Sequence, residues 1–265
     1  MNKSNIMRAL STGTLMAALT STAIGSDPGT IVGFTPDQSI AIEHIVHDYI
    51  LNQPEILREA FEVLEKKQQQ TQQEKVKAAI IQHSKVLLNE HLTVAGNPKG
   101  TVTMVEFFDY QCGHCKMMKN VISKLIDKNP NLRVIYKEFP IFGQTSEDAS
   151  RVAIAAAMQG KYMQVHDALL QSEKHLDKKS SIQIAKNAGV NLPKLLVDMN
   201  SKSVSLALAL VKTQANSLAL QGTPAFIIMQ TTPEGALSRT SQTSFIPGGA
   251  NEATLQHLIT AAAGK

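Results

Sequence analysis

The sequence predicts an α/β fold with a helical insertion, preceded by a helical N-terminal segment. Three observations lead there. Residues 101–108 are mostly apolar and rich in β-branched and aromatic side chains, the pattern of a buried strand. They run through Cys112-Gly113-His114-Cys115 into a helical stripe and then a second strand at 132–139, which together make a βαβ unit. Between about 145 and 220 only helical spacing is found, and strand-like runs resume at 225–229 and 245–246. The chain has 265 residues, 43% of them hydrophobic and 18% charged. That is long enough for a packed core and too apolar for global disorder. Beyond the first 25 residues there is no uncharged apolar run of about 18, so no membrane span is expected there.

Residues 1–25 read as an export signal. Lys3 and Arg8 form a positive n-region, residues 9–24 are uncharged and mildly apolar, and Ala23-Ile24-Gly25 has the small-x-small spacing of a cleavage site. A membrane-anchoring helix is the alternative, but Thr and Ser interrupt the stretch too often. Export would place the chain in the periplasm or cell envelope, with or without outer-membrane association, where disulfides persist. Removing the leader takes the formal charge from +4 to 24 basic against 22 acidic residues. So small a surplus is a poor match to nucleic acid, which needs phosphates neutralised.

Residues 26–90 are expected to form an N-terminal helical dimerisation region and linker. A Pro-, Gly- and Ser-containing lead-in (26–35) precedes helical spacing of Ile42, Ile45, Val46, Tyr49 and Ile50. Asn52-Gln53-Pro54 interrupts it, and Pro54 and Glu55 suit the first turn of a new helix. That helix carries Leu57, Ala60, Phe61 and Leu64 on one face. Residues 66–75, KKQQQTQQEK, have no apolar face but are good helix formers, so an exposed helical connector is expected. Val76, Ile80 and Leu87 resume the stripe; one helix over 54–90 would reach about 55 Å. Two short amphipathic helices have too little chain of their own to cover their stripe. They either fold back on the downstream domain or pair with a second copy; the polar connector favours a homodimer. His44 and His47 are at i, i+3, but no further ligand completes a metal site.

Residues 91–265 are expected to form the α/β domain. Asn97-Pro98-Lys99-Gly100 is a turn before the first strand. The helix after Cys115 has Met118, Val121, Ile122, Leu125 and Ile126 on one face and stops at Asn129-Pro130. Further helices are expected from Ser146 to Gly160 and over 161–172, about 179–188, 192–199 and 202–220. Gly222-Thr223-Pro224 breaks the pattern before the strand at 225–229. A polar loop follows over 230–244, and Asn251 caps a last helix with Leu255, Leu258 and Ile259 inward.

The cysteine count carries the most chemistry. Both cysteines, Cys112 and Cys115, close a loop too short to give much entropic stabilisation. Zinc would need two more ligands at a second spacing, and a c-type haem needs His where Lys116 stands. A redox pair remains. The thiolate is the nucleophile in disulfide exchange, and a helix N-terminus offers unpaired N–H groups and positive dipole potential to stabilise it. Cys112 is expected to be the exposed attacking sulfur and Cys115 the buried resolving one. His114, between them, would add positive charge or a donor, and a stabilised thiolate makes the disulfide more oxidising. Glu106 lies in a strand that otherwise reads as buried, an expensive place for a carboxylate without a task.

These residues resemble the thioredoxin superfamily, and within it the DsbA-like thiol oxidoreductases. The resemblance rests on residues 105–115 (VEFFDYQCGHC), 136–142 (YKEFPIF) and Gly222-Thr223-Pro224-Ala225-Phe226, and covers roughly 92–265. It implies a thioredoxin-like fold with the insertion at about 145–220. Tyr49 to Leu57 (YILNQPEIL) resembles the N-terminal helices of dimeric Com1-like or outer-membrane DsbA proteins. The CGHC spelling is similar to that of protein disulfide isomerases, which implies an oxidising or isomerising poise. The resemblance further implies that Glu106 relays the proton of the buried cysteine. It also implies that Thr223-Pro224 is a cis-proline loop, where a client strand hydrogen-bonds beside Cys112. No cofactor is needed. The expected partners are unfolded or partly oxidised client proteins, a membrane electron acceptor or donor for recycling, and a second copy of the chain. The rival from another class is a holdase or surface-exposed binding protein with a secondary redox pair.

Overall fold

The computed structural model describes residues 33–238 and 242–264; the expected export signal, residues 1–25, lies outside them. The chain divides into two units, residues 1–63 and 64–265. In the first, α1 (Pro36–Asn52) opens with a capping box: Gln38 N donates to Thr35 Oγ1 and Thr35 N donates to Gln38 Oε1. Reciprocal bonds of this kind satisfy two of the N–H groups that a helix start leaves unpaired. α1 buries none of its residues, and Ile45, Tyr49, Phe61 and Val63 stand exposed. α2 (Glu55–Leu88) is one helix of 34 residues, as the spacing predicts, and the polar stretch 66–75 continues it without a break.

In the second unit, the described residues form one sheet of five strands in the order β1-β3-β2-β4-β5. The strands are β1 (Val94–Gly96), β2 (Val102–Phe108), β3 (Leu132–Glu138), β4 (Ala225–Gln230) and β5 (Thr243–Ile246). β2 and β3 run parallel through the crossover helix α3 (Gly113–Lys128), and the other pairs are antiparallel. Both faces of the central strands are covered, so β2 and β3 are buried along their whole length. Such strands read as continuous apolar runs and not as an alternation.

Successive side chains still point to opposite faces. Met104, Phe108 and Tyr136 face a core shared with Met118 and Ile122 of α3. Val165 and Leu169 of α5 (Tyr162–Gln171) and Leu255 and Ile259 of α9 (Glu252–Ala262) close that side. Val105, Phe107 and Ile135 face the other way, against Val76, Ile80 and Leu87 of α2. Val211 and Ala215 of α8 (Lys202–Ser217) complete that layer. Arg133, also on this side, donates to the carbonyls of Leu88 and Glu90 and so satisfies the orphan end of α2. The insertion consists of α4 (Gln144–Ala157), α5, α6 (Lys178–Asn187), α7 (Leu192–Asp198) and α8. Buried Ala149, Ala153, Ala156 and Ala157 let α4 approach its neighbours closely.

The pattern does not anticipate β1. It is three residues long, and Ala95 and Gly96 have little strand preference. It exists because the chain lies along the free edge of β3, where a Cβ at Gly96 would meet the Leu132 carbonyl oxygen. No helix among the described residues is long and apolar enough to cross a membrane. No cluster of three or more metal-binding side chains occurs among them either.

Candidate active site

β2 delivers the chain to the C-terminal edge of the sheet, and Asp109 shapes the turn that follows. Its Oδ1 accepts from Gln111 N and Ser146 Oγ, both at 2.7 Å. Its Oδ2 accepts from Ile141 N at 2.7 Å and Phe142 N at 3.2 Å. One buried carboxylate therefore joins the approach to Cys112, the turn after β3 and the first turn of α4. Gln111 adds a bond to the Leu176 carbonyl at 2.6 Å, tying the turn to the helical insertion.

Cys112 is the N-cap residue of α3, with extended backbone (φ −73°, ψ 117°), and Cys115 lies in the first helical turn. Both are free thiols. The expectation of an exposed Cys112 is corrected: the residue is only 5% exposed, against 1% for Cys115. The cause is the loop opposite, since the Cys112 Sγ–H donates to the Thr223 carbonyl at 3.3 Å. The Thr223–Pro224 peptide bond is cis. Thr223 Oγ1 is buried without a hydrogen-bond partner among the described residues.

The two sulfurs differ sharply in acidity. The Cys112 pKa is lowered to about 5, first because the Cys115 thiol hydrogen-bonds to it. Burial opposes this, and the backbone N–H groups of Cys115 and His114 reinforce it. The Cys115 pKa is pushed up, by that same bond to Cys112, then by burial, then by the Glu106 charge. His114 is exposed in the first turn of α3, and its backbone N–H favours the Cys112 thiolate.

Glu106 is 2% exposed at the middle of β2, on the face that holds the cysteines. Its pKa is raised to about 8, by burial first, then by the Cys112 thiolate, then by Glu138. The structure thus brings Cys112, Cys115, Thr223 and Pro224 together with Glu106 beneath them, and leaves His114 at the rim. Sequence reasoning missed Asp109, which read as one polar turn residue among several. It also missed Glu138, which read as one charge in the strand 132–139.

A thioredoxin-like sheet with a Cys-x-x-Cys pair at a helix N-terminus defines a class of thiol–disulfide oxidoreductase folds. The chain belongs to the DSBA-like thioredoxin domain family, whose model matches residues 103–260. Residues 38–71 match the copper resistance protein ScsC N-terminal domain. Among solved structures, a thioredoxin-like oxidoreductase from Silicibacter pomeroyi is 33% identical, with a TM-score of 0.60 over 68% of this chain and 96% of that one. BcfH of Salmonella enterica Typhimurium is 30% identical, with a TM-score of 0.71 over 85% of this chain and 96% of its own. The thiol-disulfide exchange protein alpha-DsbA2 from Wolbachia pipientis is 25% identical, with a TM-score of 0.61 over 70% of this chain and 95% of its own. The chain spans about a fifth of the length of the curated relatives it matches. One is the Na(+)/H(+) antiporter NhaA 3 of Salinispora tropica, 23% identical over 137 residues, 51% of this chain and 21% of that protein.

Proposed function

We propose that the chain is an exported thiol–disulfide oxidoreductase that introduces or isomerises disulfides in client proteins through Cys112 and Cys115. The observation that carries this reading is the pairing of a low-pKa sulfur at a helix N-terminus with a high-pKa sulfur one turn below it. In the oxidising direction a client thiolate attacks Cys112 of the Cys112–Cys115 disulfide. The new bond joins client sulfur to Cys112, the Cys112–Cys115 bond breaks, and Cys115 leaves with the electron pair. A proton from Glu106 neutralises it, because a bare thiolate at that buried position is costly. A second client thiolate then attacks the client sulfur and releases Cys112 as its favoured thiolate. Two client thiols have become a disulfide and the protein is left reduced, so a membrane electron acceptor is proposed to recycle it. Starting from the reduced protein, the Cys112 thiolate attacks a wrong client bridge and one client sulfur leaves as thiolate. When a different client thiolate then attacks the client sulfur of the mixed disulfide, Cys112 leaves as thiolate. The client bridge has changed partners with no net oxidation, which is isomerisation.

A client would lie along the Thr223–Pro224 loop. A groove of about 560 Å³ there is lined by Leu220, Thr223, Pro224 and Phe245, with Gln69 and Gln72 of α2 as its polar wall. The exposed apolar side chains of α1 and the start of α2 support a homodimer. Export is supported by the pattern of residues 1–25.

The test is the reduction potential of the CGHC pair against glutathione, together with disulfide formation in a reduced dithiol peptide. A potential more oxidising than that of a structural disulfide, and loss of turnover in Cys112→Ser, are expected. Client-protecting activity that survives Cys112→Ser while no exchange is seen in the parent would instead identify a holdase.

A further inference from the structure

The groups buried beneath Cys112 include a second carboxyl that the proposed reaction does not use. Glu138 ends β3 and is 2% exposed. In the parallel β2–β3 register Glu106 lies opposite Tyr136, and Phe108 opposite Glu138. Glu106 and Glu138 therefore share one buried face of the sheet as diagonal neighbours on adjacent strands, close enough for the Glu138 charge to push the Glu106 pKa up. Arg133 and Lys137, the cations of β3, alternate onto the opposite face; Arg133 reaches the end of α2 there and Lys137 lies 3.8 Å from Glu90. No cation from the sheet compensates the two carboxyls.

The groups that do face Glu138 are named one by one. From the turn before α3, Tyr110 Oη donates to Glu138 Oε1 at 2.8 Å. From α5, Tyr162 Oη donates to the same oxygen at 2.8 Å. His166 of α5 lies 3.1 Å from Tyr110 Oη through Nδ1. Burial and Lys119 hold its pKa down at about 3, so the ring is neutral. Since Tyr110 gives its only proton to Glu138, His166 Nδ1 carries the hydrogen and donates to Tyr110. The result is a chain from His166 through Tyr110 to Glu138, aligned to favour negative charge at its end. Burial nevertheless comes first and pushes the Glu138 pKa up to about 8. Ser150 of α4, Tyr162 and Tyr110 favour the charge and Asp109 opposes it. Oε2 has no hydrogen-bond partner among the described residues, so the charge develops across neutral to mildly alkaline pH. Lys119 of α3 lies 3.8 Å from Asp167 of α5, and both act on the rim of the cluster, on His166 and Tyr136 respectively.

We infer that Glu138 is a positioning residue for the disulfide exchange. Its carboxylate, held by the Tyr110 and Tyr162 hydroxyls, keeps the proton on Glu106 until Cys115 leaves and takes it. Two like charges on neighbouring positions of one buried sheet face cannot both form at low cost. Burial works against charge on both carboxyls, and the two hydroxyl donors to Glu138 assign the first charge there and the proton to Glu106. Glu106 is then loaded as an acid. No proton enters or leaves the pair except the one that passes from the Glu106 carboxyl to the Cys115 sulfur.

This inference rests on the proposed exchange reaction, and the experiment separates the two. Oxidised full chain is mixed with a cysteine peptide from pH 5 to 9, and formation of the mixed disulfide is quenched in acid and quantified. The ratio of the Glu138→Gln rate to the parent rate is read at each pH, so titration of the peptide thiol cancels. Removing the Glu138 charge lets Glu106 lose its proton at lower pH. The ratio should fall threefold or more between pH 6 and 8.5. Tyr162→Phe, which weakens the hold on that charge, should give a smaller fall of the same sign. In a Glu106→Gln background the fall should vanish. A ratio that is flat or rises with pH, in both single variants, overturns the inference; so does a fall that persists without Glu106. A parent chain that forms no mixed disulfide at any pH overturns the exchange reaction itself.

Discussion

At the scale of single residues, Asp109 fixes the turn before Cys112 by accepting four hydrogen bonds from three segments. Asp109→Ala leaves those donors in a buried place without a partner, at about 1–3 kcal/mol for each that water cannot reach. A loss on the order of 3–5 kcal/mol is expected, measured by denaturant unfolding, with Asp109→Asn in between because one side of the amide still accepts. A second prediction concerns Cys112. Its folded pKa, about 5, lies below its ordinary 9.0. A depressed pKa contributes stability that is present above the unfolded value and is lost as pH falls through the folded one. The reduced form should therefore gain on the oxidised form as pH rises from 5 to 9, seen as a widening difference in thermal midpoint. A constant difference would contradict the thiolate assignment. The Cys112–Cys115 spacing and the carboxyl of Glu106 in an apolar strand stood out in the sequence itself, whereas the Thr223-Pro224 loop was marked by the family resemblance. Asp109 and Glu138 were not, because an acid in a polar turn and an acid beside a lysine at a strand end both look solvated. Apart from Gln111, which is two residues from Asp109, what they touch is 24 to 37 positions away in sequence.

At the scale of elements, helices were read more securely than strands. Caps and stripes are local, so Asn251, whose side chain accepts from Thr254 N, marked the start of α9 from sequence alone. β1 depends on a neighbouring edge and carries no local mark. The end of α8 shows a cost that the spacing hid. Leu220 N bonds to the Ala215 carbonyl and Ala219 N to the Asn216 carbonyl. This Schellman motif puts Ala219 at φ +52°, in the left-handed region that glycine prefers. Ala219→Gly should stabilise the fold by about 1 kcal/mol, since the Cβ penalty there exceeds glycine's loss of chain entropy. A destabilised variant in thermal unfolding would reject the motif.

At the scale of the whole molecule, the first unit and the second obey different rules. Residues 64–265 bury two apolar layers around one sheet, whereas α1 buries nothing. Sedimentation of the mature chain at tens of micromolar is expected to show a dimer, and deletion of residues 26–63 a monomer that still oxidises dithiols but loses more isomerase activity. A full-length monomer would remove the assembly proposal and leave the redox chemistry standing. The aromatic composition adds an optical consequence. The chain has no Trp and four Tyr, and Tyr110, Tyr136 and Tyr162 are packed around His166. Near-ultraviolet absorbance and emission therefore come mainly from the ground beneath the cysteines. The molecule carries its own unlabelled reporter: a difference spectrum taken on reduction or across pH reads the polarity around those three rings.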